Sequence, residues 1–156
     1  MKNKRTFTEE LSSQQILEID ACTQCGECLK YCPVQDVTGN PSISPAEKMR
    51  IFRGFIKATR GLKSKLLSPE IDRKLLEDFT KAVYECTTCG ACHQACPVCI
   101  EPIPKILNMR RFLVMEEARF PEPMQTALRS LENRGHPYPG IVPSRTAWTE
   151  GLGVPL

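Results

Sequence analysis

Aromatic residues are scarce in this chain. They make up 6% of its 156 residues, and tryptophan occurs once. That leaves little with which to fill a large sandwich interior, and no segment alternates polar and apolar residues convincingly enough to predict a strand. Long apolar runs are missing as well: stretches such as Phe112 to Met115 fall far short of the roughly 20 residues a bilayer-spanning helix needs. Membrane contact is therefore expected to be peripheral at most. The first fifteen residues carry positive charge but no apolar stretch and no signal-peptidase-like site, so export is not expected and a cytoplasmic location is. A net charge of +3 is too small to suggest nucleic acid as a partner. No G-x-G-x-x-G segment marks a nucleotide site, and no acid–base constellation stands out.

Cysteine and proline are plentiful by contrast, with nine of the first and 13 of the second. Proline at this level favours a small helical body punctuated by loops. Where thiols are kept reduced, nine cysteines argue for metal binding over a disulfide framework.

The cysteines fall into two runs, "CTQCGECLKYCP" from Cys22 to Pro33 and "CTTCGACHQACP" from Cys86 to Pro97. Both read C-x2-C-x2-C-x3-C-P, and each cysteine of the second follows its counterpart by 64 residues. Zinc sites usually pair two well-separated C-x2-C knuckles around one ion. Here three thiolates crowd into seven residues, with a fourth just beyond. That spacing resembles the bacterial ferredoxin run, in which three cysteines hold one [4Fe-4S] cluster and the fourth ligates the other. On that pattern Cys22, Cys25, Cys28 and Cys96 hold cluster 1, and Cys86, Cys89, Cys92 and Cys32 hold cluster 2. Zinc or a redox dithiol is the alternative. Crossed ligation ties the two halves together, so folding and cluster assembly should be coupled. Gly26 and Gly90 sit inside the loops, where backbone without a Cβ can approach inorganic sulfide, and Pro33 and Pro97 close them.

Two features in and beside the second run invite other readings. "CGACH" satisfies C-x-x-C-H, the attachment signature of a c-type haem, but its cysteines already complete the ferredoxin run. His93 is read as a solvent-side neighbour of cluster 2 that could tune its potential. Cys99 is the ninth, unpaired thiol, read first as a small hydrophobe and only second as a ligand or redox group.

The 52 residues between the runs leave room for two helices. Ser44 caps the first, with Pro45 at its first position and Glu47 three residues after the cap. Ile51, Phe52, Phe55, Ile56 and Thr59 form its stripe, and Gly61 can stop it. Ser68, Pro69, Glu70 and Asp72 predict the start of the second, with Ile71, Leu75, Leu76 and Phe79 on its buried face. Pro102 and Pro104 open another, with a broad apolar stripe of Ile103, Ile106, Leu107, Met109, Phe112, Leu113 and Val114. A helix over about Pro121 to Arg134 follows, with Gly135 beyond it, and one through Ser13 to Asp20 precedes the first run. The fold predicted is all-α: helices around two cluster-binding loops. Its divisions are an N-terminal arm and helix over 1–20, a di-cluster domain over 21–118, and a C-terminal helix with a proline- and glycine-rich tail over 119–156.

"DACTQCGECLKYCPV", "SPAEKMR" and "YECTTCGACHQACPVCIEPIPKILNMRR" together resemble the ferredoxin-type subunit family of heterodisulfide reductase. These are α-helical ferredoxins that also form the N-terminal module of CCG-type iron–sulfur oxidoreductases. The resemblance is strong from about Asp20 to Arg111 and weak elsewhere. It implies two [4Fe-4S] clusters relaying single electrons between a flavin or other donor subunit and a catalytic CCG-type iron–sulfur subunit, in a hetero-oligomer. This sequence has no CCG and no cysteine after Cys99, so no catalytic residue is assigned and the catalytic site is expected on another polypeptide. The tail holding Trp148 is the docking candidate. A stand-alone redox enzyme using Cys99 and His93, and a cluster-stabilised structural or sensing module, are the alternatives.

Lys48, Arg50, Arg53, Lys57, Arg60, Lys63 and Lys65 follow one another with no acid between them. They predict a solvated basic face, or one that docks an acidic partner. Arg110, on the apolar side of its helix, is left between pairing with an acid and shifting a cluster's potential.

Overall fold

A computed structural model describes residues 6–60, 73–138 and 147–153. Every regular element among them is helical. In chain order these are α1 (Ser13–Ala21), α2 (Pro33–Thr38), α3 (Pro45–Arg60), α4 (Arg73–Tyr84), α5 (Ala91–Gln94), α6 (Pro102–Met115) and α7 (Glu122–Arg134). Short 3₁₀ turns lie at Phe7–Glu9, Glu27–Leu29, Pro41–Ile43 and Ala147–Thr149. The chain forms two compact units, Met1–Arg119 and Phe120–Leu156.

The first unit is built as one plan used twice: helix, cysteine run, helix. α1 leads into Cys22 and packs on α3, while α4 leads toward Cys86 and packs on α6. Local chemistry sets the ends of these helices. Ser12 and Gln15 close a reciprocal capping box, Gln15 N donating to Ser12 Oγ at 3.2 Å and Ser12 N to Gln15 Oε1 at 2.9 Å. At α3 the Ser44 cap forms as the sequence predicts, accepting from Glu47 N at 3.1 Å. Glu47 does not complete the box, because its carboxylate turns to Arg50. The predicted stop at Gly61 and start at Ser68 to Asp72 lie outside the described residues, as does the side chain of Leu75.

Aromatics are few, but they are concentrated. Phe7 stacks on Phe52 at 5.4 Å and meets Phe55 and Phe112 edge-on, while Phe79 sits 4.9 Å from Phe52 and 5.4 Å from Phe55. Five phenylalanines from four elements thus make one cluster, joined by Met49, Val83, Ile106, Met109 and Leu113. Fully burying each ring contributes roughly 1.5–3 kcal/mol, with about 0.5–1.5 kcal/mol more per favourable ring pair. The cluster holds α3, α4 and α6 together behind the cysteine loops. On α6 the buried face is narrower than the sequence stripe, since Leu107 is exposed and Ile103 and Val114 are only half-buried.

The second unit carries α7, which ends where the sequence predicts. Gly135 adopts φ 72°, and its N–H closes the helix on Leu131 O at 2.9 Å.

Candidate functional site

The two cysteine runs adopt the same backbone. Gln24 and Thr88, 64 residues apart, both take left-handed conformations, at φ 60° and 55°. Gly26 and Gly90 both sit at φ 83°. A Cβ at either glycine would meet its nearest neighbour at ordinary contact distance, 3.6 Å from Leu29 Cδ1 or 3.8 Å from Ile103 Cδ1. The need for glycine in this structure is therefore one of dihedral angle, not crowding. The third cysteine of each run then starts a short helical turn, Cys28 in Glu27–Leu29 and Cys92 in α5, and these two turns pack against each other.

Two cavities open between the loops, of about 390 and 320 Å³ with their solvent-open parts included. One is lined by Cys86, Cys89 and Cys92 of the second run together with Cys32 of the first. The other is lined by Cys22, Cys25 and Cys28 of the first run together with Cys96 of the second. Each cavity therefore draws three thiols from one run and its fourth from the other. All nine cysteines are free thiols. Among the described residues no three His, Cys, Asp or Glu side chains converge tightly enough for a single metal ion. Four soft sulfur donors spread around a space fit a polynuclear sulfide cluster better than one zinc.

Electrostatics ties the thiols of each set together. Burial, followed by the charges of Cys22, Cys25 and Cys96, pushes the Cys28 thiol up from 9.0 to about 11. Burial and the charges of Cys86, Cys28, Cys89 and Cys32 push Cys92 likewise to about 11. Cys28 acts on Cys92 from the neighbouring set, so the two sites adjoin through this pair. Four crowded thiolates repel one another without a cation between them, and metal ions supply one.

Basic side chains frame both sites in a way the sequence reading missed. α3 and α6 share the pattern P-x2-K-x4-R, with Pro45, Lys48 and Arg53 recurring 57 residues later as Pro102, Lys105 and Arg110. Arg53 Nη2 donates to the carbonyls of Ile19, Asp20 and Cys22, closing the end of α1 where the first run begins. Arg110 donates to Val83 O and Cys86 O, closing α4 where the second run begins, and stands 5.7 Å from the Tyr84 ring. Its role is thus to hold backbone carbonyls, not to pair with an acid. Lys48 and Lys105 are both fully buried, at 2% and 0% exposure. Lys105 is bonded to Glu18 and to Glu101 O, whereas Lys48 bonds Ile43 O and lines the cavity of Cys32, Cys86, Cys89 and Cys92. Burial pulls the Lys48 pKa below its usual value, against the opposing charges of Cys86, Cys32 and Cys92.

The predicted basic face is therefore broken up. Lys48 points inward, Arg53 is spent on α1, Arg50 pairs with Glu47, and Arg60 reaches Thr8 O at 3.0 Å. Lys63 and Lys65 lie outside the described residues. The reason is geometric: a run of like charges in sequence winds around the whole circumference of a helix. Cys99 is exposed at φ 54° and lines neither cavity, and His93, half-buried on α5, lines neither.

Comparison with known proteins follows the same outline. Residues 18–100 match the 4Fe-4S dicluster domain. The chain is 35% identical, over 90% of its length, to one subunit of the dihydromethanophenazine:CoB–CoM heterodisulfide reductase of Methanosarcina barkeri, of which it covers 35%. It is 30% identical to EtfAB:quinone oxidoreductase of Syntrophomonas wolfei over 94% of this chain and 23% of that protein. It is 28% identical to the probable iron-sulfur-binding oxidoreductase FadF of Bacillus subtilis over 83% of this chain and 23% of that one. The chain thus spans between about a quarter and a third of the length of these relatives.

Proposed function

The chain belongs to the 4Fe-4S dicluster domain family, and from that premise we propose that it is an electron-transfer module holding two [4Fe-4S] clusters within a hetero-oligomeric oxidoreductase. Cys22, Cys25, Cys28 and Cys96 hold the first cluster, and Cys86, Cys89, Cys92 and Cys32 the second. The observation that carries this reading is the lining of the two cavities, three thiols from one run and one from the other in each case. When bound, such clusters supply one-electron redox capacity without a substrate pocket or a general acid. The chain's own contribution is to hold the thiols apart at fixed positions, to shield Cys28 and Cys92 from water, and to bring the two sites together at that pair.

The terminal chemistry belongs on this reading to a CCG-type iron–sulfur catalytic subunit, with a flavin or other donor subunit on the opposite side. Support comes from the relatives, which are longer proteins named as a heterodisulfide reductase subunit and as quinone-linked or iron–sulfur oxidoreductases. In the second unit, Met124, Leu128 and Leu131 lie along one face of α7 and are exposed, as is Trp148. Large apolar side chains left in solvent at helical spacing suit a partner surface, and we assign docking to residues 119–156. Among the described residues no helix is long and apolar enough to cross a membrane. We place the module in the cytoplasm, bound to its partners.

The test is anaerobic purification followed by an iron and sulfide count and a redox titration monitored by electron paramagnetic resonance. About eight irons per chain and two interacting reduced signals are expected, with no turnover until a partner is added. Zinc in place of iron, or a single cluster, would overturn the assignment.

A further inference from the structure

The two halves of the first unit are matched in almost every feature that acts on a cluster's charge. Each run has the same loop dihedrals, and each has one arginine on the carbonyl of its first cysteine, Arg53 on Cys22 and Arg110 on Cys86. Each half buries one lysine in the same pattern, Lys48 and Lys105. The halves differ in what neutralises that lysine.

Lys105 has a carboxylate, since Glu18 bonds its ammonium directly. The residue 64 positions after Glu18 is Ala82, buried and without charge to offer. Lys48 accordingly has no carboxylate within 4 Å among the described residues, and its ammonium donates to the neutral carbonyl of Ile43. Glu85 acts on it from further away. A buried ammonium needs a counter-charge. What faces Lys48 is the cavity lined by Cys32, Cys86, Cys89 and Cys92. Lys105 lines neither cavity.

We infer that Lys48 is the counter-ion of the second cluster and makes it the more easily reduced of the two, so that an electron held by the module rests there. This rests on the two-cluster reading above. A fixed positive charge beside a group that gains an electron favours the reduced form, and the effect is large where water is excluded. The first site has one compensating feature, a hydrogen bond from Gln24 Nε2 to Cys22 Sγ at 3.2 Å, where Thr88 in the second run bonds its own neighbour's carbonyl. That is a single bond from a neutral, exposed amide, weaker than a buried full charge.

The experiment is a redox titration of the cluster-loaded chain, followed by electron paramagnetic resonance with iron counted on each sample. Cys89→Ser identifies the second cluster's signal. In the wild type that signal should reduce first. In Lys48→Met its reduced-to-oxidised ratio at fixed potential should fall at least tenfold, about 59 mV for a one-electron couple, while Lys48→Arg restores it. Glu18→Ala makes the first half match the second and should move the other way, raising the first cluster's ratio and narrowing the gap. Should Lys48→Met fail to load iron, the wild-type order and the Glu18→Ala shift decide. The inference is overturned if the first cluster reduces first, or if Lys48→Met lowers both ratios equally or lowers the second by less than tenfold. A wild-type chain with fewer than two clusters would instead sink the two-cluster reading, and this inference with it.

Discussion

The first and second halves of the cluster-binding unit repeat at two different intervals. The cysteine runs recur after 64 residues, but the following helices, with their P-x2-K-x4-R pattern, recur after 57. The seven-residue difference is the stretch holding α2 and the Pro41–Ile43 turn, which the second half lacks: Pro97 reaches α6 within five residues, while Pro33 is twelve short of Pro45. The repeat therefore preserves what touches the clusters and lets the connection vary. Loops and arginine caps are kept because dihedral angles and helix ends fix where the thiols lie. The length between run and helix is free, since surface insertions cost little.

Breaking a crossed ligand should have the largest effect. Cys96 stands in the second run but lines the cavity of the first, so Cys96→Ser should remove or alter the first cluster's signal while the second run's own cluster survives. Iron would fall from about eight toward about four per chain, and the thermal midpoint would drop because the lost cluster joined the two halves. Cys32→Ser should do the mirror image. Loss of the second cluster from Cys96→Ser would mean that each run serves itself.

The arginine caps sharpen the comparison at smaller magnitude. Arg53 satisfies three carbonyls and Arg110 two, and both ends would be left with unpaired, partly buried oxygens after truncation. Hydrogen bonds to a charged group contribute roughly 1.5–3 kcal/mol, so Arg53→Ala and Arg110→Ala should each cost about 2 kcal/mol in chemical denaturation. Amide exchange should distinguish them, rising at the end of α1 in the first variant and at the end of α4 in the second. Arg50→Ala, by contrast, removes only an exposed pair with Glu47 and should cost under about 1 kcal/mol.

Much of the fold was legible in the sequence, and the failures have physical causes. Helices opening at Ser44–Pro45 and at Pro102 were legible because caps and proline are local signals, and α7 because Gly135 supplies its left-handed end. The stripe Ile51, Phe52 and Phe55 was legible because periodicity reports burial. The loops' matched turns at Gln24 and Thr88 were not, since neither residue type announces a positive φ as glycine does. The basic run misled because charge suggests solvent, and Lys48 is a buried exception whose compensation lies in another part of the chain. The signal that could have found it was internal: aligning α3 on α6 pairs Lys48 with Lys105 and Arg53 with Arg110 inside two apolar stripes.

The smallest predicted effect tests the Glu18–Lys105 bond by pH. Burial raises the Glu18 pKa, but bonds from Lys105 and Gln14 outweigh it and leave the carboxylate below its ordinary 4.5. A group whose pKa is depressed on folding stabilises the fold above its unfolded value and loses that contribution as pH falls through the folded one. Glu18→Gln should thus lower the denaturation midpoint by the equivalent of about 1–2 kcal/mol near neutrality, a charged hydrogen bond discounted for partial exposure. The gap between variant and wild type should stay level down to about pH 5.5 and close below 4.5. Acid loss of clusters lowers both proteins alike and cancels in the difference. A gap that stayed constant down to about pH 3.5 would mean that Glu18 contributes through its shape and not its charge. Lys105 would then be as unneutralised as Lys48, and the asymmetry between the halves would be gone.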